Sequence, residues 1–476
     1  MAMGRTKRAR KAPAKRLTNT SSSLGESEEL SYPGVDYFTQ LPTELLSEIA
    51  KYVHMDAVRR VEHPIVNLTE QPLKHALSLA AISRRLRSIF TREPSLWSYI
   101  RINTRYTNEA AIIACLERSG NHPLSILWIG EGSIIPETQL VKMIVKHSQR
   151  WISFALVSPI TGYLCLFMED PFWNVNAPIL KRFYVASTVP DGEEEEDYFG
   201  EDCFNFPSIQ HIKLYRYPFP TANTSMKTLT RLELDASNGN QLSFEQLALV
   251  AKNSVHIEHL NLHQVLDSVS GAPGLTRRQD RITWPSLLQL VIYSETTSPR
   301  VYIWRYLELF RVPKLQKFVA ISPDTNDFKI DNPDASRIAA NIPLVKEVTI
   351  ICPHIDATAG RKLFIYFPHI THFALCDYPC DGHKPAFNSF FYPNALSNTK
   401  IWPNLESITL GYVQNKKLLR NIANCLYTRR KNGRPVAKII IPRGQSLMTG
   451  ELKVAQANLV QVTDIMAHAD YNFKPR

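Results

Sequence analysis

The chain has 476 residues, a hydrophobic content of 44% and a formal net charge of +11. It is long enough for a small domain plus a large one with a sizeable core, and its composition excludes a disordered or fibrous chain. Seven scattered cysteines, odd in number, argue for reduced thiols in the cytoplasm or nucleus rather than a disulfide framework.

The first sixteen residues, MAMGRTKRARKAPAKR, hold seven Lys or Arg and no acid. They run into the polar stretch TNTSSSLGESEE, so residues 1–37 read as a disordered basic arm. Such an arm suits nuclear targeting, nonspecific phosphate binding or simple solubility. No secretory signal fits this start, and no apolar run reaches the length of a bilayer span.

Residues 38–101 read as a small all-helical unit. In FTQLPTELLSEIAKYV, Leu41 precedes a helix whose first position goes to Pro42, where the missing N–H is harmless. Glu44 favours the positive helix start. Leu45, Ile49 and Val53 recur every four residues and share one face. SLAAISRRLRSIF (78–90) is expected to form one second helix, with Leu79, Ile82, Leu86 and Ile89 as its apolar stripe. Arg84, Arg85 and Arg87 fall opposite that stripe, as a solvated face. Pro94, Ser95, Leu96 and Trp97 close the unit with a turn and a large aromatic. Two such helices bury little core unaided, so the unit gains stability by lending apolar surface to a partner.

The order LP-x-E-L-L-x-x-I, L-A-x-x-S-R-R-L-R, P-x-L-W resembles the F-box, over about one eighth of the chain. The resemblance implies docking onto a Skp-type adaptor and, through it, onto the cullin scaffold of an SCF ubiquitin ligase. The docking unit it implies comprises Leu41, Pro42, Leu45, Ile49, Leu79, Ile82, Leu86 and Trp97, some of which must serve as glue between the helices.

From residue 102 to 445 one phrase keeps returning: a bulky apolar residue, Pro, x, Leu, x, x, Leu, x, Leu. It appears as PILKRFYVA (178–186), FPSIQHIKLY (206–215), WPSLLQLVIY (284–293), VPKLQKFVAI (312–321), IPLVKEVTII (342–351) and WPNLESITLG (402–411), among ten copies. RWISFALVSP (150–159) and RPVAKIIIPR (434–443) are degraded versions. The L-x-L leucines lie on one strand face, and the proline is expected to set an extended start to the strand. Helical patterns lie between several copies, at 138–148, 243–254 (with a Ser243/Gln246 capping box), 301–310 and 415–430. The spacing of roughly 20 to 35 residues matches leucine-rich repeats and their relatives. The fold class expected is therefore α/β: a small F-box helical unit followed by an irregular leucine-rich-repeat-like solenoid with a parallel sheet. Residues 446–476 are left as a C-terminal cap or tail.

Asn108 and Gly120 bracket a further helix in TNEAAIIACLERSGNHPLSI. This L-x-R-S-G-x-x-P-L-S linkage resembles the one that follows the F-box in a large group of fungal, chiefly basidiomycete, F-box proteins, in which the solenoid recruits the target. The acidic stretch DGEEEEDYFGED (191–202) interrupts the repeats and reads as a solvated loop.

Motifs of catalysis are missing: no P-loop, GxSxG, HExxH or GxGxxG occurs. His259 and His263, four apart on a strand, stand about 13 Å from each other, too far to share an ion, and are expected as surface or edge residues of a repeat. His372, Cys376, Cys380 and His383 offer zinc-ligand chemistry, but the loose spacing and the repeat strand already accounting for Phe373 and Leu375 argue against it. Trp128, Trp173, Trp304 and Tyr306 suit either core or a protein-binding surface. The sequence thus points to a non-enzymatic ubiquitin-ligase subunit that binds an adaptor and an unidentified target protein, with no cofactor or metal. Nucleic acid is not favoured as a partner, and no membrane is expected. The alternative is a repeat scaffold, outside any ligase, whose first helices merely cap it.

Overall fold

The computed structural model describes residues 40–61, 72–103, 108–130, 138–158, 175–187, 206–216, 226–236, 241–265, 281–294, 303–322, 335–352, 357–376, 400–410, 416–441 and 460–462, with a few single positions besides. The basic arm, the acidic stretch 191–202, Trp173, Cys380, His383 and most of the expected C-terminal cap lie outside the described residues.

The protein is mixed α/β, built on one large parallel sheet. Three helices open the chain: α1 (Thr43–Val61), α2 (Pro72–Ile82) and α3 (Arg84–Arg92). A 3₁₀ turn, Pro94–Trp97, leads into strand β1 (Tyr99–Asn103). The sheet thus starts at Tyr99, inside the stretch assigned from sequence to the helical unit. It continues through β2 (Leu124–Ile129), β3 (Trp151–Ser158), β4 (Arg182–Ser187), β5 (His211–Tyr215), β6 (Arg231–Asp235) and β7 (His259–His263). A short pair, β8 (Ile282–Thr283) with β10 (Phe310–Arg311), stands apart from it. The main sheet resumes with β9 (Gln289–Tyr293), β11 (Lys317–Ile321), β12 (Glu347–Ile351), β13 (His372–Cys376), β14 (Ser407–Leu410), β15 (Lys438–Ile441) and β16 (Val460–Val462). Its 14 strands follow chain order, and every neighbouring pair is parallel. Both degraded copies of the phrase, β3 and β15, are full members.

The strands stand in register, so side chains form rows across the sheet. One face carries two apolar rows. The first passes through Phe183, Ile212, Leu232, Leu260, Leu290, Phe318, Val348 and Phe373, the second through Val185, Leu214, Leu234, Leu262, Ile292, Ala320, Ile350 and Leu375. All sixteen belong to one continuous core. Aromatic rings extend that core: Trp151, Phe154, Phe183 and Phe206 stack in series, and Phe364 and Phe373 both meet Trp402.

The proline of the phrase does something other than expected. In Val312–Leu315 and Trp402–Leu405 the fourth residue's N–H bonds the first residue's carbonyl at 3.1 Å. Pro313 and Pro403 therefore take the second position of a β-turn, where their fixed φ fits. The turn delivers a buried leucine, such as Leu287, Leu315 or Leu405, under the strand that follows. Beyond each turn one carbonyl accepts two N–H groups from the next repeat. Glu258 takes Leu288 and Gln289, Leu288 takes Gln316 and Lys317, and Gln316 takes Lys346 and Glu347, all at 2.9–3.0 Å. These shared bonds hold the register from one strand to the next.

Helices α4 (Glu109–Arg118), α5 (Thr138–Val145), α6 (Phe244–Asn253), α7 (Ile303–Leu309), α8 (Ala335–Asn341), α9 (Ala357–Tyr366) and α10 (Lys416–Lys431) lie in the connections. Asn108 caps α4, Gly120 follows it at φ 50°, and α6 carries the full Ser243/Gln246 capping box. Trp128, Trp304 and Tyr306 are core residues rather than surface anchors.

Because Leu260 is fully buried between two neighbouring rows, Leu260→Ala is expected to cost about 2–5 kcal/mol of unfolding free energy. Asn261→Ala, on the reverse face, is expected to cost under about 1 kcal/mol. Urea titration of the two variants measures the difference.

Candidate docking face and the polar track of the sheet

Helix α1 is held from two sides. Leu46 and Ala50 are buried in the same core as the sheet. Next to them, Ser47 donates to Glu93 Oε2 at 2.7 Å and Lys51 Nζ lies 3.3 Å from the same oxygen, while Ser95 donates to Oε1 at 2.8 Å. Burial alone would raise the Glu93 pKa, but these hydrogen bonds and Lys51 outweigh it and hold the carboxyl below its ordinary value. At 3.6 residues per turn, Leu45, Ile49 and Tyr52 then face about 115° away from the buried stripe, with Val53 at the edge of that stripe. All four are exposed, Leu45 at 50% and Tyr52 at 75%. On α2, Leu77 and Ile82 are exposed as well.

The expected second helix is two helices. Ser83 takes an extended conformation (φ −149°, ψ 159°), and its Oγ accepts the Leu86 N–H at 3.1 Å. It caps α3 as an N-cap serine does. The break shifts the helical phase, so Ile82 points outward (64% exposed) while Leu86 and Phe90 point into the core. No single Leu79/Ile82/Leu86/Ile89 stripe survives it. The first helix also runs on to Val61, beyond its expected end.

The eight residues assigned from sequence to docking therefore divide. Pro42, Leu45, Ile49 and Ile82 are exposed, Leu41 packs partly against the core, and Leu86 and Trp97 are buried glue. The side chain of Leu79 lies outside the described residues. Trp97 donates from its indole N–H to the Phe90 carbonyl at 2.9 Å and carries the Arg118 guanidinium 4.3 Å over its ring, joining the helices to α4. Tyr52 and Leu77 were not in that set. Tyr52 lies seven residues after Leu45, two helical turns on, and that spacing is the signal for it. The arginines are partly tied to backbone: Arg85 donates to the Leu41 carbonyl at 2.8 Å and Arg87 to that of Ala80 at 3.3 Å. A groove of about 570 Å³ separates α1 from α3, walled by Glu44, Glu48 and Lys51 opposite Arg85, Ser88 and Arg92.

The reverse face of the sheet holds a second concentration of polar groups. On β5 and β6, Glu233 is buried and accepts from Arg231 at 2.8 Å, His211 at 3.1 Å and Lys213 at 3.1 Å. A carboxylate only accepts, so His211 Nε2 carries the hydrogen. Burial would raise the Glu233 pKa, but His211, Lys213 and Arg231 together drive it far below its ordinary value. Burial also lowers the His211 pKa, outweighing the carboxylate, so the ring is neutral near pH 7. One row on, Asp235 pairs with His263, whose ring meets Tyr293 edge-on. His263 is thus buried rather than at the surface. The track separates two apolar clusters, one around Leu127, Val157 and Tyr184 and the other around Val291, Val319 and Ile321.

Among the described residues no group of three His, Cys, Asp or Glu is placed to hold a metal. Within those residues, no helix is long and apolar enough to cross a membrane. Cys115, Cys352, Cys376 and Cys425 carry thiols outside any disulfide, and burial pushes the Cys115 thiol pKa up to about 11. No family model matches the chain, and no curated protein matches it at a significant level.

Acid destabilises this track through both ionisable partners. Glu233, depressed when folded, stabilises the fold above its unfolded pKa near 4.5 and loses that contribution as pH falls. His211, also depressed, binds its proton more readily when unfolded, so stability falls in the same direction below about pH 6.5. Thermal melts from pH 7 to pH 4 are expected to fall steadily for the native chain. Between pH 7 and pH 5 they should fall less steeply for His211→Gln, which removes the titrating ring and keeps a donor for Glu233.

Proposed function

We propose that the protein is a substrate-recruiting F-box subunit of an SCF ubiquitin ligase. In this reading, α1 to α3 and the turn to Trp97 form the F-box unit, and the strand array that follows is an irregular leucine-rich-repeat-like solenoid holding the target. The observation that carries the reading is the division of α1 into two apolar stripes. Leu46 and Ala50 are used within the chain, while Leu45, Ile49, Tyr52 and Val53 are left to solvent. A helix that only capped the sheet needs the first stripe and gains nothing from the second. An outward aliphatic and aromatic stripe on a clamped helix is what a partner groove takes up.

The eight sequence positions add to this in a narrower form. Pro42, Leu45, Ile49 and Ile82 remain for a Skp-type adaptor, whereas Leu86 and Trp97 serve the inside of the unit. Catalysis is then proximity: the adaptor and cullin bring a ubiquitin-charged enzyme to a target held on the array, raising the effective concentration of the target's lysines. This chain contributes binding surfaces and no reacting side chain.

The scaffold reading rests on a different observation, the continuity of Leu46, Leu86, Phe90 and Trp97 with the sheet core. End strands of a repeat array need such cover. The two roles are compatible, because they use different residues of α1.

Capture of purified Skp-type adaptor by the full chain tests the proposal. Covering each half-exposed apolar side chain contributes on the order of 1 kcal/mol, so Leu45→Asp/Ile49→Asp is expected to weaken capture by at least about tenfold. The thermal midpoint should stay within a few degrees of the native one. Leu249→Asp, equally exposed on α6, is expected to bind like the native chain. Equal capture by all three proteins would overturn the proposal and leave the capping role alone.

A further inference from the structure

At the far end of the sheet from α1, the charge balance of the chain changes. Residues 407–450 contain nine Lys or Arg and no Asp or Glu. Helix α10 lies in this stretch, between β14 and β15, and its last turn is Arg429, Arg430 and Lys431. The helix end is rigidly built. Arg429 is buried and donates to the carbonyls of Ile401 and Trp402 at 3.0 and 2.6 Å, pinning the last turn to the loop before β14. The Gly433 N–H bonds the Arg430 carbonyl at 3.0 Å, and the Arg434 N–H bonds that of Arg429 at 2.9 Å. Gly433 sits at φ 72° with open space around it, the left-handed position that closes a helix in this way.

That closure turns the chain back, so Arg434 leaves from the same helix end that carries Arg430 and Lys431. All three are exposed, and among the described residues none of their side chains has an ion pair or hydrogen bond. By contrast, Lys213 and Arg231 are matched by Glu233, and Lys51 by Glu48 and Glu93. Tyr427, 66% exposed, lies three and four residues before Arg430 and Lys431, on their side of the helix. The helix dipole favours cations in a last turn. It does not account for Arg434 beyond the helix, for the missing acids, or for a solvent-facing tyrosine among them.

We infer that the end of α10 is a docking point for an acidic peptide segment, with Arg430, Lys431 and Arg434 taking its carboxylates and Tyr427 packing against its chain. Two guanidinium forks at one helix end suit planar carboxylates, each of which an arginine takes bidentately. Nucleic acid fits less well. Its affinity comes from many phosphates neutralised along a track, and here three cations gather at one helix end. The inference does not rest on the adaptor reading, since it uses neither α1 nor its partner.

Fluorescence anisotropy with the full chain tests it, using a labelled polyglutamate peptide, a polyglutamine peptide of equal length and a single-stranded DNA oligonucleotide of equal charge. The polyglutamate is expected to bind, more weakly as salt rises, and the polyglutamine not to bind. Arg430→Glu/Lys431→Glu/Arg434→Glu is expected to weaken polyglutamate binding at least about tenfold at an unchanged thermal midpoint. If that variant unfolds, Arg430→Gln/Arg434→Gln is expected to show a loss of about threefold or more. Unchanged polyglutamate affinity in a folded variant would overturn the inference. Tighter binding of the oligonucleotide than of the peptide at the same salt would overturn it too, in favour of a phosphate-binding surface.

Discussion

The structure depends on register. From β4 to β13 each strand of the main sheet contributes two apolar side chains to rows that cross it, and no strand covers its own pair. Leu260 is buried by Leu232 on one side and Leu290 on the other, and each of these needs its own next neighbour. A slip of one residue in any strand would turn its leucines to the reverse face. The shared carbonyls at the strand starts and the proline turns before them oppose such a slip, because they fix where each strand begins.

A sheet built this way has ends, and the ends determine what the remaining elements do. At the first strand, α1 and α3 extend the core through Leu46, Leu86, Phe90 and Trp97. Only one side of α1 is consumed by that task. Glu93, bridging Ser47, Lys51 and Ser95, fixes the helix about its own axis and so determines which apolar residues remain outside. Near the last strands, α10 is pinned by a buried arginine instead, and what remains outside is charge. Both outward surfaces are by-products of how the array is closed, and both are rigid for that reason.

Much of the array was legible in the sequence because alternation is a strong signal. Leu-x-Leu after a proline turn marks a strand whose two leucines share a face, and even the worn copies at β3 and β15 kept it. The helical unit was harder to read. Leu45 and Leu46 are adjacent and chemically alike, and only the contacts made by Ser47, Ala50 and Lys51 decide which one is buried. Ser83 looked like one polar residue within a helix, yet its side chain competes for backbone N–H groups and starts a new helix there. The reverse face was misread at His263, because a histidine paired with Asp235 one strand away can be buried while a lone one rarely is. The basic end of α10 was present as composition, but its closure comes from the left-handed Gly433 turn, which returns the Arg434 N–H to the Arg429 carbonyl.

The central functional claim is that the outward stripe of α1 is the surface a Skp-type adaptor covers. Amide hydrogen exchange of the full chain, with and without saturating adaptor, tests it most directly. The account predicts slower exchange in the peptides spanning Thr43–Val61 and Pro72–Ile82, with the strands of the sheet unchanged. Protection confined to the sheet, or none anywhere at saturating adaptor, would contradict it.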